Sequence, residues 1–190
     1  MKIEVSDDVK VFGFWIYLMT DLIIFAVLFA CFLVLHANTF NGPSAKELFN
    51  FHSVLAETLI LLTSSFTCSL GMYTVKRQLK KSALFWFLLT FLLGICFLGI
   101  EISEFMGLVK RGASWQRSAF LSSFFTLVGT HGFHIFIGLL WILIMLFRIV
   151  LRPLNEHSIS RIFRMALFWH FLDLVWVFIF TVVYGMGYLL

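Results

Sequence analysis

Five apolar stretches, each long enough to cross a bilayer as a helix, dominate the 190-residue sequence. About 20 apolar residues span the hydrocarbon core, and inside it only helices and closed barrels satisfy every backbone polar group. The predicted helices cover residues 11–35, 53–75, 83–108, 118–149 and 162–189. We therefore predict an all-α integral membrane bundle of five transmembrane helices, forming a single domain over residues 1–190.

The composition excludes the soluble alternatives. Hydrophobic residues make up 61% of the chain and charged residues 13%, and the mean hydropathy is +0.99. A soluble domain of this size needs far more polar surface. The net charge of +4 comes from residues in connectors and at helix ends rather than from a basic face, so no nucleic-acid partner is expected. The clearest extramembrane loop is predicted at Asn38–Asn50, which contains Asn41, Gly42 and Pro43.

The distribution of lysine and arginine predicts the orientation. The N-terminus and the second and fourth connectors, which lie on one side, hold ten of these residues, whereas the other side holds four. Because cytoplasmic connectors carry the excess of positive charge, we expect a cytoplasmic N-terminus and a periplasmic C-terminus. The ten are Lys2, Lys10, Lys76, Arg77, Lys80, Lys81, Arg148, Arg152, Arg161 and Arg164, and the four are Lys46, Lys110, Arg111 and Arg117.

Ionisable side chains occur inside the predicted helices and are the candidate functional residues. A charged group near the bilayer centre costs roughly 2.5–3.5 kcal/mol on insertion scales, so these groups must face protein. Helical spacing places His170, Asp173 and Tyr184 on one stripe of the last helix. Depth along the helices predicts two polar layers. The middle layer contains Asp21, His131, His134, His170 and Asp173, and the outer layer contains Glu57, Glu101 and Glu104.

Several interpretations of these residues stay open. The pair His131 and His134 could bind a metal or haem, or the two imidazoles could hydrogen-bond across helices to Asp173, Glu101 or Glu104. No Glu-x-x-His pair occurs in these helices, which argues against a di-metal carboxylate site. Asp21 is the best single candidate for a proton relay. Tryptophans near presumed helix ends, Trp169 among them, are interpreted as interfacial anchors.

Three motifs carry a resemblance to a known family. The run Gly129-Thr130-His131-Gly132-Phe133-His134 resembles a signature of subunit III of haem–copper terminal oxidases, and Trp169-His170-Phe171-Leu172-Asp173 resembles that family's C-terminal motif. The segment from Phe12 to Asp21 is similar to the opening of the five-helix form in bacterial cytochrome o ubiquinol oxidases, and Glu57 and Glu104 fall where that family places acids.

The resemblance implies a non-catalytic subunit of a proton-pumping ubiquinol oxidase in the bacterial inner membrane. Haems and copper are then expected in subunit I, with no catalytic, cofactor-binding or metal-binding residue in this chain. The expected partners are subunits I, II and IV and bound phospholipid. The expected roles are assembly, lipid binding and sustained proton uptake. The family's first-helix acid is commonly Glu, whereas this chain has the shorter Asp21.

Two other hypotheses rest on the same residues. One is a carrier or channel with an ion path through Asp21, His131, His134 and Asp173. The absence of proline within the predicted helices argues against the broken helices of many transporters. The other is a small membrane metalloenzyme built on the three histidines 131, 134 and 170 with Glu101 or Glu104.

Overall fold

The computed structural model describes residues 2–36, 51–113 and 115–185. It contains five long helices: α1 (Lys2–Leu35), α2 (Phe51–Lys76), α3 (Lys80–Lys110), α4 (Ala119–Leu151) and α5 (Glu156–Ile179). A π-helical turn, Phe180–Gly185, continues α5. All five are long and apolar enough to cross a membrane, so the predicted five-helix class is confirmed. The predicted loop at Asn38–Asn50 and the end of the predicted fifth helix lie outside the described residues.

Most helices are longer than the apolar stretches that predicted them. Helix α1 begins at Lys2 rather than near residue 11, and α5 begins at Glu156 rather than near residue 162. Lysine, arginine and glutamate are good helix formers, so a helix need not end where its apolar stretch ends. At the other end of α5, the i→i+5 hydrogen bonding of the π-helical segment changes the direction in which the side chains from Phe180 to Gly185 point.

The helix ends are set by local turn chemistry. Between α2 and α3, Gln78 adopts a positive φ of 61°, and after α3 Gly112 adopts a φ of 78°. The turn after α3 is closed by the Ala113 N–H, which donates to the Leu108 carbonyl at 3.0 Å. Helix α4 begins where the Ser118 hydroxyl accepts a hydrogen bond from the Leu121 N–H at 3.2 Å. These short connections hold consecutive helices antiparallel and in contact.

Helix α5 lies at the centre of the bundle. It contacts α1, α2 and α4, while α2 and α3 form the most extensive helix pair and α1 makes its main contacts with α4 and α5. This arrangement leaves much of α1 and α3 facing outward, as expected for helices that meet lipid or a partner.

Trp169 occupies the core of the bundle instead of the membrane interface that the sequence predicted for it. Its side chain is 1% exposed. A Cβ added at Gly94 of α3 would lie 2.8 Å from its ring and would force a shift, and one added at Gly138 of α4 would lie 3.0 Å away, a tight contact. The two glycines therefore make room for the indole. The indole Nε1–H donates to the Ser64 hydroxyl of α2 at 3.0 Å. One side chain of α5 therefore contacts three other helices.

Candidate functional site

The first polar pair joins α1 to α4. His134 Nε2 lies 4.0 Å from Asp21 Oδ2, and both side chains are largely buried. His134 Nδ1 lies 2.7 Å from the Thr130 carbonyl oxygen, so Nδ1 carries a hydrogen and donates it. In the neutral imidazole Nε2 is then an acceptor that faces a carboxyl oxygen. At 4.0 Å the two atoms face each other beyond hydrogen-bond distance, and Asp21 Oδ2 has no hydrogen-bond partner among the described residues.

The surroundings of this pair are aromatic. The Phe25 ring lies 5.3 Å from the His134 ring and 6.3 Å from the His131 ring, so it contacts both imidazoles. The Tyr17 side chain interacts with Asp21. Tyr17 is 45% exposed and therefore reaches the outer surface of α1.

His131 sits in an aromatic cage. It is fully buried and stacks on Trp176 at 5.3 Å between ring centroids, with the Phe97 edge at 6.1 Å. Neither of its ring nitrogens has a hydrogen-bond partner among the described residues. The prediction that His131 and His134 bond to Asp173, Glu101 or Glu104 is therefore wrong. His134 faces Asp21, whereas His131 packs against aromatic rings. The two histidines are three residues apart on α4, so their side chains point to different neighbours.

The acidic residues gather at the end of the bundle opposite the basic connectors. Glu57 of α2 and Glu101 of α3 are buried, and Glu104 is half-buried and interacts with Ser53. The three carboxyl groups and Tyr184 interact electrostatically with one another. Gly132 provides the space for Glu101, since a Cβ there would lie 2.9 Å from Glu101 Oε1. Neither Glu101 oxygen has a hydrogen-bond partner within the described part of the chain.

The second polar pair joins α5 to α2. The Ser65 hydroxyl lies 2.7 Å from His170 Nδ1, and the Ser69 hydroxyl lies 3.2 Å from His170 Nε2. Ser65 also interacts with the Asp173 side chain. His170, Asp173 and Ser65 are half-buried, while Ser69 is exposed. His170 and Asp173 thus lie together, as their spacing predicted.

The structure divides the predicted middle layer into two separate pairs. Asp21 with His134 lies between α1 and α4, and His170 with Asp173 lies between α2 and α5. Tyr184 belongs to the acidic cluster instead of the His170 stripe, because the π-helical turn rotates it away. Among residues 2–36, 51–113 and 115–185, no three His, Cys, Asp or Glu side chains form a group that could hold a metal ion.

Sequence reasoning missed the small polar residues that complete these clusters. Ser65, Ser69 and Thr58 lie on α2, and the Thr58 hydroxyl accepts a hydrogen bond from Trp176 Nε1 at 3.1 Å. Serines one turn apart in the middle of a predicted membrane helix were the available signal, since such hydroxyls commonly bond across helices. Their partners on α5 could not be identified without the packing.

Five helices of membrane-spanning length around buried polar clusters define a multi-pass membrane protein. The protein-family profile described as "Cytochrome c oxidase subunit III" matches residues 2–188. The chain belongs to this family, and the resemblance carried by its three motifs is confirmed.

Curated relatives support the same assignment. Subunit 3 of the cytochrome bo(3) ubiquinol oxidase of Pseudomonas aeruginosa is 51% identical over 177 residues, covering 93% of this chain and 85% of the relative. Cytochrome c oxidase subunit 3 of Bacillus sp. PS3 is 48% identical over 178 residues, covering 94% and 86%. The cytochrome bo(3) ubiquinol oxidase subunit 3 of Buchnera aphidicola is 41% identical over 192 residues, covering 98% and 99%.

Proposed function

We propose that this chain is the non-catalytic subunit III of a proton-pumping ubiquinol oxidase in the inner membrane of a bacterium. The observation that carries the proposal is the 51% identity to a ubiquinol oxidase subunit 3 over 93% of the chain. In this proposal the N-terminus is cytoplasmic, the C-terminus is periplasmic, and the whole chain forms one domain. Its protein partners are subunits I, II and IV, and subunit I holds the haems and copper. The chain also binds phospholipid.

The polar clusters support a packing and proton-supporting role. Each buried cluster joins two or more elements of the bundle, and the Asp21 carboxyl group of α1 faces the His134 ring of α4 at 4.0 Å. Asp21 would then sustain proton uptake by subunit I rather than carry out catalysis. Replacing it with Ala should slow turnover or hasten inactivation of the complex more than it changes the apparent affinity for quinol.

Copurification tests the proposal. The chain, tagged and solubilised from its own membrane, should bring down other subunits together with a haem absorption spectrum. The same chain purified alone should show no Soret band and no bound copper. A stoichiometric haem or copper in the isolated chain, or oxygen consumption by it, would contradict the proposal.

The electron donor has a second candidate. The Bacillus sp. PS3 relative, at 48% identity, is a cytochrome c oxidase subunit, so a cytochrome c oxidase is the alternative complex. The purified complex should oxidise ubiquinol and should not oxidise reduced cytochrome c. The reverse preference would assign the chain to the alternative.

A transport assay distinguishes the carrier hypothesis from the proposed function as an oxidase subunit. Liposomes that contain only this chain should show no ion uptake or current. An uptake that Asp21→Asn abolishes would favour a carrier instead.

A further inference from the structure

One polar cluster opens onto the outer surface of the bundle. We call Ser65, Ser69, His170 and Asp173 the outer polar strip. It lies near the middle of both α2 and α5, where a bilayer is least polar. Asp21, Glu57 and Glu101 are buried and His134 is half-buried, whereas Ser69 is exposed and the other three members of the strip are half-buried.

The surface around the strip is otherwise apolar. Phe66, which follows Ser65 on α2, is 64% exposed, and Leu174, which follows Asp173 on α5, is 53% exposed. Side chains of this kind suit lipid or a packed helix equally well. An imidazole and a carboxyl group at mid-membrane suit lipid poorly, because ionisable side chains at this depth carry a large insertion cost. The strip therefore needs a protein cover.

The chemistry of the strip indicates what that cover presents. The His170 ring nitrogens both have partners, since Nδ1 lies 2.7 Å from the Ser65 hydroxyl and Nε2 lies 3.2 Å from the Ser69 hydroxyl. The Asp173 carboxyl group differs, because its Oδ1 atom is buried and has no hydrogen-bond partner among the described residues. A carboxyl oxygen accepts hydrogen bonds. The strip thus has one acceptor atom that lacks a donor.

We infer that the outer polar strip is the site where a transmembrane helix of a neighbouring subunit docks and presents a hydrogen-bond donor. A hydroxyl, amide or guanidinium group would supply the hydrogen-bond donor that Asp173 Oδ1 lacks. This inference rests on the proposed function, since it requires that the chain belong to a complex. Small Ser65 and Ser69 side chains leave room for a close approach of the partner helix.

A serine-to-leucine substitution distinguishes a docking site from a lipid-facing surface. Ser69→Leu places an apolar side chain at an exposed position, which lipid would accept. If a partner helix docks there, the substitution blocks it and removes a polar contact. We expect about three- to tenfold weaker retention of one partner subunit as detergent is raised, given typical interhelical contacts in membranes.

Thr63→Leu is the matched control. Thr63 is exposed on the same helix, its hydroxyl bonds only to the Leu59 carbonyl at 2.7 Å, and helical geometry places it roughly 120° from Ser69. Retention of the partner should match that of the unaltered chain. An equal loss in both variants, or in neither, would overturn the inference.

Photocrosslinking tests the contact without disturbing the strip. A benzophenone side chain in place of the exposed Phe66 keeps an aromatic ring at that position. In the intact complex it should crosslink to a membrane segment of another subunit, and crosslinking to lipid alone would overturn the inference. If the unaltered chain brings down no other subunit, the proposed function fails. If it does so while Phe66 reaches only lipid, the function stands and the docking site is elsewhere.

Discussion

At the scale of single residues, the packing of Trp169 against two glycines explains how four helices meet so closely. The Gly94 position is the tighter of the two, since an added Cβ would lie 2.7 Å from Leu139 Cδ2 and 2.8 Å from the indole. We expect Gly94→Ala to lower the free energy of unfolding by about 1–3 kcal/mol, the usual cost of overpacking. Denaturant unfolding in detergent micelles measures this.

The control for that substitution lies on the same helix. An added Cβ at Gly99 meets nothing within 4 Å. Because Ala is a better helix former than Gly, Gly99→Ala should leave the free energy of unfolding unchanged or raise it by up to about 1 kcal/mol. Equal destabilisation by both substitutions would show that the Trp169 contact does not limit packing at Gly94.

Trp176 repeats this design seven residues along α5. Its indole N–H donates to Thr58 of α2, and its ring packs against Phe97 of α3 and His131 of α4. The Thr58 hydroxyl in turn donates to the Val54 carbonyl at 2.8 Å. Two tryptophans at heptad spacing therefore join α5 to the same three helices at two depths.

A double-mutant cycle isolates the hydrogen bond of Trp176. Trp176→Phe and Thr58→Val each remove it, and the double variant removes both partners. We expect a coupling free energy of about 0.5–1.5 kcal/mol, since the bond is neutral and buried. The cycle needs the free energy of unfolding of the four proteins, and a coupling near zero would contradict the hydrogen bond.

At the scale of helices and turns, the existence of the five helices could be predicted and their ends could not. Long apolar runs in the sequence predict transmembrane helices directly, because a continuous apolar segment in lipid satisfies its backbone hydrogen bonds as a helix. Helix ends depend instead on a few turn residues. Gln78 shows the difficulty, because a non-glycine residue with a φ of 61° ends α2 with no glycine signal in the sequence.

The two turns that flank α3 give a paired prediction. At Gln78 the positive φ strains an ordinary side chain, so Gln78→Gly should raise the free energy of unfolding by about 0.5–1 kcal/mol. At Gly112, with φ of 78°, Ala should lower it by a similar or larger amount. Unfolding curves of the two variants should shift in opposite directions, and shifts of the same sign would contradict the turn conformations.

At the scale of the whole molecule, the sequence identified the polar residues but did not determine which of them meet. Periodicity fixes the face of one helix, so the pairing of His170 with Asp173 followed from their spacing. The Asp21–His134 pair and the stacking of His131 on Trp176 depend on how the helices pack around α5. A single sequence contains no direct signal for such contacts, and the π-helical turn that redirects Tyr184 has none either.

The orientation of the bundle is the last prediction and concerns the entire chain. Ten basic residues on one side against four on the other predict that the α4–α5 connector is cytoplasmic and the α3–α4 connector periplasmic.

Single cysteines at the exposed, uncharged Asn155 and Gln116 report on the orientation of these connectors without altering the charge balance. The background protein needs Ala only at the exposed Cys31 and Cys96, since Cys68 is buried. In spheroplasts with an intact inner membrane, an impermeant maleimide should label Gln116→Cys at once, and Asn155→Cys only after the membrane is opened. The opposite order of labelling would contradict the predicted orientation and would place the acidic cluster on the cytoplasmic side.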